Sequence, residues 1–476
     1  MKYFWTRFLP SYPKVLLYML QDTEYRYSRY IEWYRRTDNF RTVIKRRQLT
    51  MTNKVWLLLL CLWLIWLAVV LLVIQVVFAG ITVNAIWFVV AAGLFLLIPF
   101  IQAYGILIPL VLGWIFIQKR KERQLIQNAR LILVDNPAIR IGIAGSYGKT
   151  TAKELLKAVL SEGKNTAATP GNMNTPIGIS RFVRDLTGDE EILIFELGEE
   201  KVGDVEFLSR LTNPSIGIVT GINEAHLVSF KTLERTTNTI YEIADYVAAD
   251  NLYQNIESSL VADALREGIP FNRKGVQGWK VSGVKTDVAG TSFTLKKGKK
   301  TVQASTQLLG KHNIGVTAAV VAIADSLGLT TKQIEAGLMK VAPFEHRMEP
   351  RFMHGAWVID DTYNGNSEGV KAGLAFLKDQ EAKRRIYVTP GLVEQGSATQ
   401  SVHEMIGQEI ARSNVDICVL MENSVTEFIK SGLSEGGFKG LLLEIDNPLE
   451  FYTNLDQFVA AGDLVLMQND WTDNYQ

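Results

Sequence analysis

The stretch GSYGKTT, residues 145–151, combines glycines, a lysine and hydroxyl side chains, which are the residue types that bind phosphate groups. It follows the apolar run AIRIGIA and precedes a segment with apolar residues at the spacing of a helix, namely Leu155, Leu156, Val159 and Leu160. The start of such a helix attracts anions, because its N–H groups are unpaired and its dipole is positive there. The pattern therefore predicts a strand, a phosphate-binding turn and a helix.

The side chains of this turn predict binding of ATP together with Mg²⁺. Lys149 would contact the β- and γ-phosphates, and the hydroxyl of Thr150 would reach the metal ion. The common form of the motif has a further glycine five positions before Gly148, where this chain has Ile143. The loop is thus a shorter variant with a doubled threonine. Its predicted ATP-binding residues are Gly145, Ser146, Tyr147, Gly148, Lys149, Thr150 and Thr151.

Other residues indicate which metal ions and partners the chain can bind. Glu196 ends the apolar run ILIFE, and a carboxylate at a strand end would hold Mg²⁺ together with Thr150. The two cysteines, Cys61 and Cys418, are too few for a disulfide framework or a cysteine metal cluster. The net charge of +1 gives no indication of nucleic-acid binding.

Six further motifs follow the loop along the chain: TPGNMNTPIG, ILIFELGE, GINEAHLVSF, LLGKHNIGV, EHRME and VIDDTYNGN. In this order the chain after about residue 138 resembles the Mur ligases, ATP-dependent enzymes that form amides in bacterial cell-wall precursors. The first and last of the six are similar to the branch that adds D-alanyl-D-alanine. The resemblance implies that ATP phosphorylates a carboxylate and that an amine then displaces the phosphate.

The resemblance also implies roles for individual residues. His226 would bind a second metal ion or orient the acyl phosphate, while Thr150 and Glu196 hold the first ion. The catalytic residues would be Lys149, Glu196, His226 and Arg347. Further ATP contacts would come from Asn313, Arg347 and Asp360. The substrate would be bound by Asn172, Asn174, Thr175, Tyr363, Asn364 and Glu394.

Three departures from the family pattern concern the metal and the amine acceptor. Ile240 stands where the family has a lysine that becomes a carbamate ligand of the second metal ion. Either Glu242 or the substrate replaces that ligand, or one ion suffices, or activity is reduced. The acceptor motifs become PGLVEQG and QNDW, residues 390–396 and 468–471, which have fewer charged groups. The sequence therefore leaves the acceptor open, with an amino acid and a dipeptide as alternatives, and it does not require D-alanyl-D-alanine.

A long segment without charged side chains precedes the catalytic motifs. Residues 55–118 contain no Asp, Glu, Lys or Arg, and as one helix they would extend about 95 Å, roughly three times the thickness of a bilayer core. Basic stretches, VIKRRQL and QKRKERQ, flank both ends and favour the cytoplasmic side. Because both ends then lie on the cytoplasmic side, the number of crossings is even, most simply two helices in a hairpin. Pro99 predicts a kink in the second helix, and a third crossing is also open.

The organisation predicted from these patterns is an α/β protein with a membrane helical hairpin, a P-loop central domain and a Rossmann-like C-terminal domain. The bounds are 1–54 for a basic cytoplasmic or interfacial helical segment, 55–118 for the hairpin, 131–344 and 345–476 for the two α/β domains. Residues 1–54 carry twelve Lys or Arg against four Asp or Glu, which suits either an anionic lipid surface or packing on the catalytic domain.

The functional expectation is a multi-pass ligase of the cell membrane with cytoplasmic catalytic domains. Its partners would be the lipid bilayer, a muropeptide-type acyl substrate and an amino acid or dipeptide acceptor. The hairpin takes the place of a domain that, in the family, binds the uridine diphosphate of the substrate. We therefore take a lipid-linked muropeptide as a hypothesis for the acyl substrate. Two alternatives are an amidating ligase with a partner subunit and a catalytically weak nucleotide-binding scaffold that recruits other cell-wall enzymes.

Overall fold

The computed structural model describes residues 3–23, 25–41, 43, 49–171, 173–223, 227–363, 365–393 and 395–469. The chain divides into two compact units, Met1–Leu125 and Ile126–Gln476. The finer domain bounds predicted from the sequence stay a prediction. Four predicted site residues lie outside the described part of the chain: Asn172, His226, Asn364 and Glu394.

The first unit is helical. Its helices are α1 (Tyr12–Asp22), α2 (Tyr27–Arg36), α3 (Asn53–Thr82), α4 (Ile86–Gly105) and α5 (Leu107–Gly113), and a π-helical turn (Trp114–Gln118) leads into α6 (Lys119–Asp135), which enters the second unit.

Two helices are long and apolar enough to cross a membrane by length and composition: α3, and the run Ile86–Asp135 that contains α4. Only 11% of the apolar window of α3 is buried, whereas a core helix of a soluble protein is mostly buried. The pair agrees with the predicted hairpin. Pro99 lies inside α4, and the interruption between α4 and α5 falls in the region where the sequence predicts a kink.

The helices before the hairpin pack on it. Apolar side chains of α1 share a core with residues of α3 and α4. The hydroxyl of Tyr12 donates to the carbonyl oxygen of Pro99, and that of Tyr30 donates to the carbonyl oxygen of Ala103, both at 3.0 Å. The sequence left open what α1 and α2 contact, and these bonds connect them to the second hairpin helix.

The first part of the second unit is built on a ten-stranded sheet in the order β10-β9-β8-β7-β6-β5-β4-β1-β3-β2. Its strands β1 to β6 are parallel and β7 to β10 add an antiparallel extension. The strands are β1 (Ile139–Ala144), β2 (Thr166–Ala168), β3 (Ile192–Glu196), β4 (Ile216–Val219), β5 (Leu252–Asn255), β6 (Ile269–Asn272), β7 (Gly275–Val276), β8 (Trp279–Asp287), β9 (Gly290–Lys297) and β10 (Lys300–Thr306).

Helices cover both faces of the parallel strands. Ile141 and Ile143 of β1 pack into one core with Leu155, while Leu193 and Phe195 of β3 face the other core. A sheet that is buried on both faces requires such continuous apolar strands. The helices are α7 (Lys149–Leu160), α8 (Pro176–Arg184), α9 (Asp204–Thr212), α10 (Leu227–Phe230), α11 (Leu233–Ile240), α12 (Ser259–Asp263), α13 (Asn313–Ser326) and α14 (Thr331–Met339).

A second, six-stranded sheet follows in the order β11-β12-β16-β13-β14-β15. All its neighbours are parallel except the first pair, so the predicted α/β unit of dinucleotide-binding type is confirmed. Its elements are β11 (Glu349–Met353), β12 (Ala356–Asp361), α15 (Ser367–Asp379), β13 (Arg384–Thr389), α16 (Thr399–Arg412), β14 (Ile417–Met421), α17 (Thr426–Glu435), β15 (Leu441–Ile445), α18 (Pro448–Thr453), α19 (Leu455–Phe458) and β16 (Asp463–Gln468).

Candidate active site

The predicted phosphate loop connects β1 to α7 and is held closely against the end of β4. Gly145 has φ +146°, and a Cβ there would lie 2.2 Å from the hydroxyl oxygen of Thr220. Gly148 has φ +79° and precedes α7. The N–H of Ser146 donates to the carbonyl oxygen of Gly221 at 2.7 Å. Glycine is required at both positions, because other residues rarely adopt these angles.

The loop offers polar groups suited to a phosphate. The hydroxyl oxygen of Ser146 is buried and has no hydrogen-bond partner within the described residues. An unsatisfied buried polar atom is costly, and the start of α7 adds N–H groups that favour an anion. The residues present therefore fit a nucleotide phosphate.

Lys149, the first residue of α7, is engaged by a carboxylate that the sequence analysis did not single out. Its Nζ donates to both oxygens of Glu199, at 2.9 and 2.8 Å, and to the carbonyl oxygen of Gly145. The side chains of Lys149 and Glu199 are only 11% and 3% exposed. A second acidic residue three positions after Glu196 was the available sequence signal.

Glu196, at the end of β3, joins several of the predicted residues. Its carboxylate accepts hydrogen bonds from the hydroxyl of Thr150 at 3.1 Å and from the amide of Asn174 at 3.3 Å. Nζ of Lys153, whose side chain is fully buried, lies 3.4 Å away. Lys153 was also missed by sequence reasoning, although it lies one helical turn after Lys149.

These groups fit a hard divalent cation. The hydroxyl of Thr150 and the carboxylate of Glu196 are oxygen ligands of the kind that Mg²⁺ prefers, and they already lie within 3.1 Å of each other. They would hold the ion, which supplies positive charge at phosphate oxygens when it is bound. The third predicted ligand, His226, lies outside the described residues.

The loop predicted to bind substrate lies against the carboxylates. The carbonyl oxygen of Asn174 accepts the N–H of Gly198 at 2.9 Å, which joins this loop to the turn after β3. Thr175 caps α8, since its hydroxyl oxygen accepts the N–H of Gly178 at 3.1 Å. Thr175 therefore has a local structural role.

A cavity of about 420 Å³ lies in the second unit, between the parts of the chain that carry its two sheets. Its lining includes Tyr147 and Gly148 from the phosphate loop, Asn313 at the start of α13, and Arg347 and Tyr363 from the C-terminal part. The guanidinium of Arg347 lies 4.8 Å from the centre of the Tyr363 ring. The structure thus brings predicted nucleotide and substrate residues from distant parts of the second unit to one cavity.

Asp360 does not line this cavity, and here the sequence prediction needs correction. Its carboxylate lies 2.9 Å from Nδ1 of His346 and 3.2 Å from the guanidinium of Arg351. Asp361 lines the cavity in its place. Successive residues of β12 point to opposite faces of the sheet, so a shift of one position exchanges the two carboxylates.

Asp361 has an unusual environment. Its carboxylate accepts the amide of Gln468 at 2.7 Å and the N–H of Met348 at 3.1 Å. Burial raises the pKa of Asp361 to about 6, although these hydrogen bonds and the charge of Arg347 act in the opposite direction. The side chain is therefore partly protonated slightly below neutral pH.

We expect Asp361→Asn to remove one pH-dependent contribution to stability. A carboxyl group whose pKa is raised by folding stabilises the native state fully below the unfolded pKa, and this contribution disappears as the pH rises through the native pKa. The melting temperature of the wild type minus that of the variant should therefore fall between about pH 4 and pH 6.5. The matched control is Asp379→Asn, since Asp379 also lines the cavity but is 43% exposed. A difference that is constant with pH would contradict the prediction.

The structure shows what surrounds Ile240, which replaces the metal-binding lysine of the family pattern, and its neighbour Glu242. Ile240 is fully buried in the core beside Tyr241 and Ile243. Glu242, which we considered as a replacement metal ligand, accepts the N–H groups of Gly203 and Glu206 at 3.1 and 2.8 Å. It therefore caps the start of α9, and that alternative for the second ion is not favoured.

The altered acceptor motif PGLVEQG follows β13 and is held by a buried histidine. Nε2 of His403 accepts the N–H of Leu392 at 2.9 Å, and Nδ1 donates to the carbonyl oxygen of Thr399 at 2.5 Å. Burial lowers the pKa of His403, which keeps the ring neutral with its proton on Nδ1. Glu394 of this motif lies outside the described residues.

Comparisons with known proteins agree with this geometry. The family model of the Mur ligase middle domain matches residues 143–324. A UDP-N-acetylmuramoyl-tripeptide--D-alanyl-D-alanine ligase of Borreliella burgdorferi is 28% identical over 360 residues, which are 73% of this chain and 74% of the relative. The ligase of the same name from Escherichia coli is 27% identical, over 59% of this chain and 64% of the relative.

Solved structures show the same fold. A crystal structure of MurF from Acinetobacter baumannii has a TM-score of 0.65 at 22% identity and covers 73% of this chain and 77% of that one. MurF ligase from Thermotoga maritima in complex with ADP has a TM-score of 0.63 at 24% identity, over 73% and 80% of the two chains. Residues 143–324 of this chain therefore match the middle domain of the Mur ligases, and the chain resembles these ATP-dependent ligases in sequence and in fold.

Proposed function

We propose that this chain is a membrane-anchored, ATP- and Mg²⁺-dependent ligase that joins the carboxyl group of a muropeptide to D-alanyl-D-alanine or a similar amine. The observation that carries the proposal is the assembly of Lys149, Thr150 and Glu196 at the carboxyl ends of β1 and β3, within hydrogen-bond distance of further site groups. The similarity to the UDP-N-acetylmuramoyl-tripeptide--D-alanyl-D-alanine ligases of Borreliella burgdorferi and Escherichia coli supports this choice of substrate class.

The proposed reaction has two steps, and every bond that forms or breaks belongs to ATP, the acyl substrate or the amine. A carboxylate oxygen attacks the γ-phosphorus of ATP, and the bond to the β-phosphate oxygen breaks to release ADP. The amine then attacks the carbonyl carbon of the acyl phosphate, phosphate leaves, and the amine loses a proton. Such phosphoryl transfer depends mainly on positioning and charge neutralisation.

The chain's own residues would divide this work between the two domains. Lys149 and the start of α7 neutralise the terminal phosphates, and Arg347 adds a second cation across the cavity. Asn313 would contact the adenine. Asp361 takes the place predicted for Asp360, because it faces the cavity.

The apolar helices α3 and α4 support a location at the membrane, with the catalytic domains in the cytoplasm. Basic stretches on both sides of the apolar segment favour this orientation. A chain anchored in this way would meet a lipid-linked muropeptide directly at the bilayer surface. We therefore propose a lipid-linked acyl substrate in preference to a soluble nucleotide-linked one.

The test uses the full chain purified in detergent with ATP and Mg²⁺. ADP release and product mass are followed with D-alanyl-D-alanine and either a UDP-linked or a polyprenyl-linked muramoyl tripeptide. We expect release that requires both the acyl substrate and the amine, is faster with the lipid-linked donor, and is lost in Lys149→Ala. Preference for the UDP-linked donor would contradict the lipid-linked substrate but not the ligase.

A nucleotide-binding scaffold is the second candidate function, and the buried Ile240 in place of a metal-ligating lysine favours it. A scaffold would bind ADP but would show no ADP release with any pair of acyl substrate and amine. Such a result would replace the ligase proposal with recruitment of cell-wall enzymes, to be tested by affinity capture with the detergent-purified chain.

A further inference from the structure

Lys153 is a buried charged residue to which the proposed reaction gives no role. It lies one helical turn after Lys149 on α7, and its side chain is 0% exposed. Its Nζ donates to the carbonyl oxygen of Gly171 and lies 3.4 Å from a carboxylate oxygen of Glu154 and of Glu196. A buried charge is stable only when it is paired. Two of its partners, Gly171 and Glu196, lie outside α7, so the lysine joins this helix to two other segments.

The first of these segments is loop 169–175, where the sequence analysis predicts substrate-binding residues. Gly171 is exposed to solvent on the outer side of this loop. The ends of the loop are held on β3, because the N–H of Thr169 donates to this strand at 3.0 Å and the amide of Asn174 donates to Glu196 at 3.3 Å. The hydrogen bond from α7 to Gly171 therefore attaches the middle of the loop.

The second segment connects Lys153 to the predicted nucleotide site. One carboxylate oxygen of Glu196 accepts the hydroxyl of Thr150 at 3.1 Å and lies 3.4 Å from Nζ of Lys153. Lys153 does not line the cavity, so it would not touch the nucleotide. A ligand that fixes the start of α7 would also fix Nζ of Lys153, and through it the carbonyl group of Gly171. Coupling between two sites is carried by such continuous chains of packed and hydrogen-bonded groups.

We propose that Lys153 is a positioning residue that couples the nucleotide site to loop 169–175, so that a bound nucleotide holds the loop where it binds the acyl substrate. The nucleotide restricts the start of α7, and the hydrogen bond of Lys153 to Gly171 extends this restriction to the loop. The acyl substrate then binds to an ordered loop, and less conformational entropy is lost on binding. The inference rests on the proposed function, because it takes a nucleotide and a muropeptide as the ligands.

The test measures hydrogen exchange of loop 169–175 by mass spectrometry, in the full chain in detergent, with and without saturating ADP and Mg²⁺. In the wild type we expect ADP to slow exchange in this loop about fivefold. Lys153→Met should bind ADP with unchanged affinity by calorimetry but show no slowing in the loop, because methionine lacks the Nζ donor. The matched control is Lys157→Met, an exposed lysine one turn further along α7, which should behave as the wild type does.

The ligation assay gives a second measurement on the same variant. Its acyl substrate is the UDP-linked or polyprenyl-linked muramoyl tripeptide that supports ADP release in the wild type. Lys153→Met should raise KM for this substrate about tenfold and lower kcat by a smaller factor, because the loop must be ordered when the substrate binds. A lower kcat with an unchanged KM would overturn the inference, since Lys153 would then act only through Glu196.

Gly171→Ala tests the coupling while the buried charge stays in place, and a thermal melt shows that each variant is folded. Gly171 has φ +52°, which strains alanine, and a Cβ there would contact nothing within 4 Å. The change therefore turns the carbonyl group away from Nζ without a clash, and it should abolish the slowing of exchange by ADP.

Three outcomes would count against these expectations. Wild-type slowing of exchange by ADP in folded Lys153→Met or folded Gly171→Ala would overturn the inference. So would a wild type that binds ADP without slower exchange in the loop. A wild type that binds no ADP would overturn the proposed function and the inference with it, which separates the two failures.

Discussion

Lys149→Ala is expected to reduce ATP-dependent ligation by roughly a thousandfold, because it removes the cation placed to neutralise charge on the transferred phosphoryl group. It should also lower the free energy of unfolding by about 3 kcal/mol, because it breaks the buried ion pair of Lys149 and Glu199. The measurements are ADP release with both substrates present and chemical denaturation of the purified chain.

The double variant Lys149→Ala/Glu199→Gln separates these two effects. It also removes the buried negative charge of Glu199, so most of the lost stability should return while ligation stays lost. Recovery of activity together with stability would show that Lys149 acts only by stabilising the fold. Ligation at the wild-type rate in the single variant would contradict a role of this lysine in phosphoryl transfer.

Glu196→Gln is expected to lower kcat on the order of a hundredfold, and to raise the Mg²⁺ concentration needed for half-maximal activity. Glutamine keeps the size of the side chain but removes the charge that faces Thr150 and the fully buried Lys153. The measurement is ADP release at a series of Mg²⁺ concentrations and saturating ATP.

Glu191→Gln serves as the control for this change. Glu191 lies just before the same strand, but it is 50% exposed and pairs with Lys164 at 2.9 Å. It should keep both kcat and the Mg²⁺ requirement. If Glu196→Gln lowers kcat without changing the Mg²⁺ requirement, Glu196 does not ligate the metal ion and acts instead by orienting its neighbours.

The fold was largely predictable from the sequence because its signals are local. Apolar runs such as ILIFE, with glycine turns and helical spacing after them, predict parallel strands and crossover helices. The loop glycines were predicted for the same reason, and the structure gives Gly145 and Gly148 the positive φ angles that only glycine adopts readily. The apolar segment before them predicted two long helices.

The site was only partly predictable, because several of its contacts join distant parts of the chain. Glu199 meets Lys149 across 50 positions, and Glu242 caps α9 through Gly203, 39 positions away. Neither contact leaves a periodic pattern in the sequence. The exchange of Asp360 for Asp361 has a different cause, since adjacent carboxylates in a strand differ only in the face to which they point.

The tyrosine bonds of the first unit determine the order in which that unit can be completed. Tyr12 and Tyr30 are synthesised early, yet their acceptors on Pro99 and Ala103 lie 87 and 73 positions later. These bonds can form only after both long helices have been made. Helices α1 and α2 therefore belong to the same packed unit as α3 and α4. Exchanging α3 and α4 for another pair of helices would leave the hydroxyls of Tyr12 and Tyr30 without the acceptors they have here.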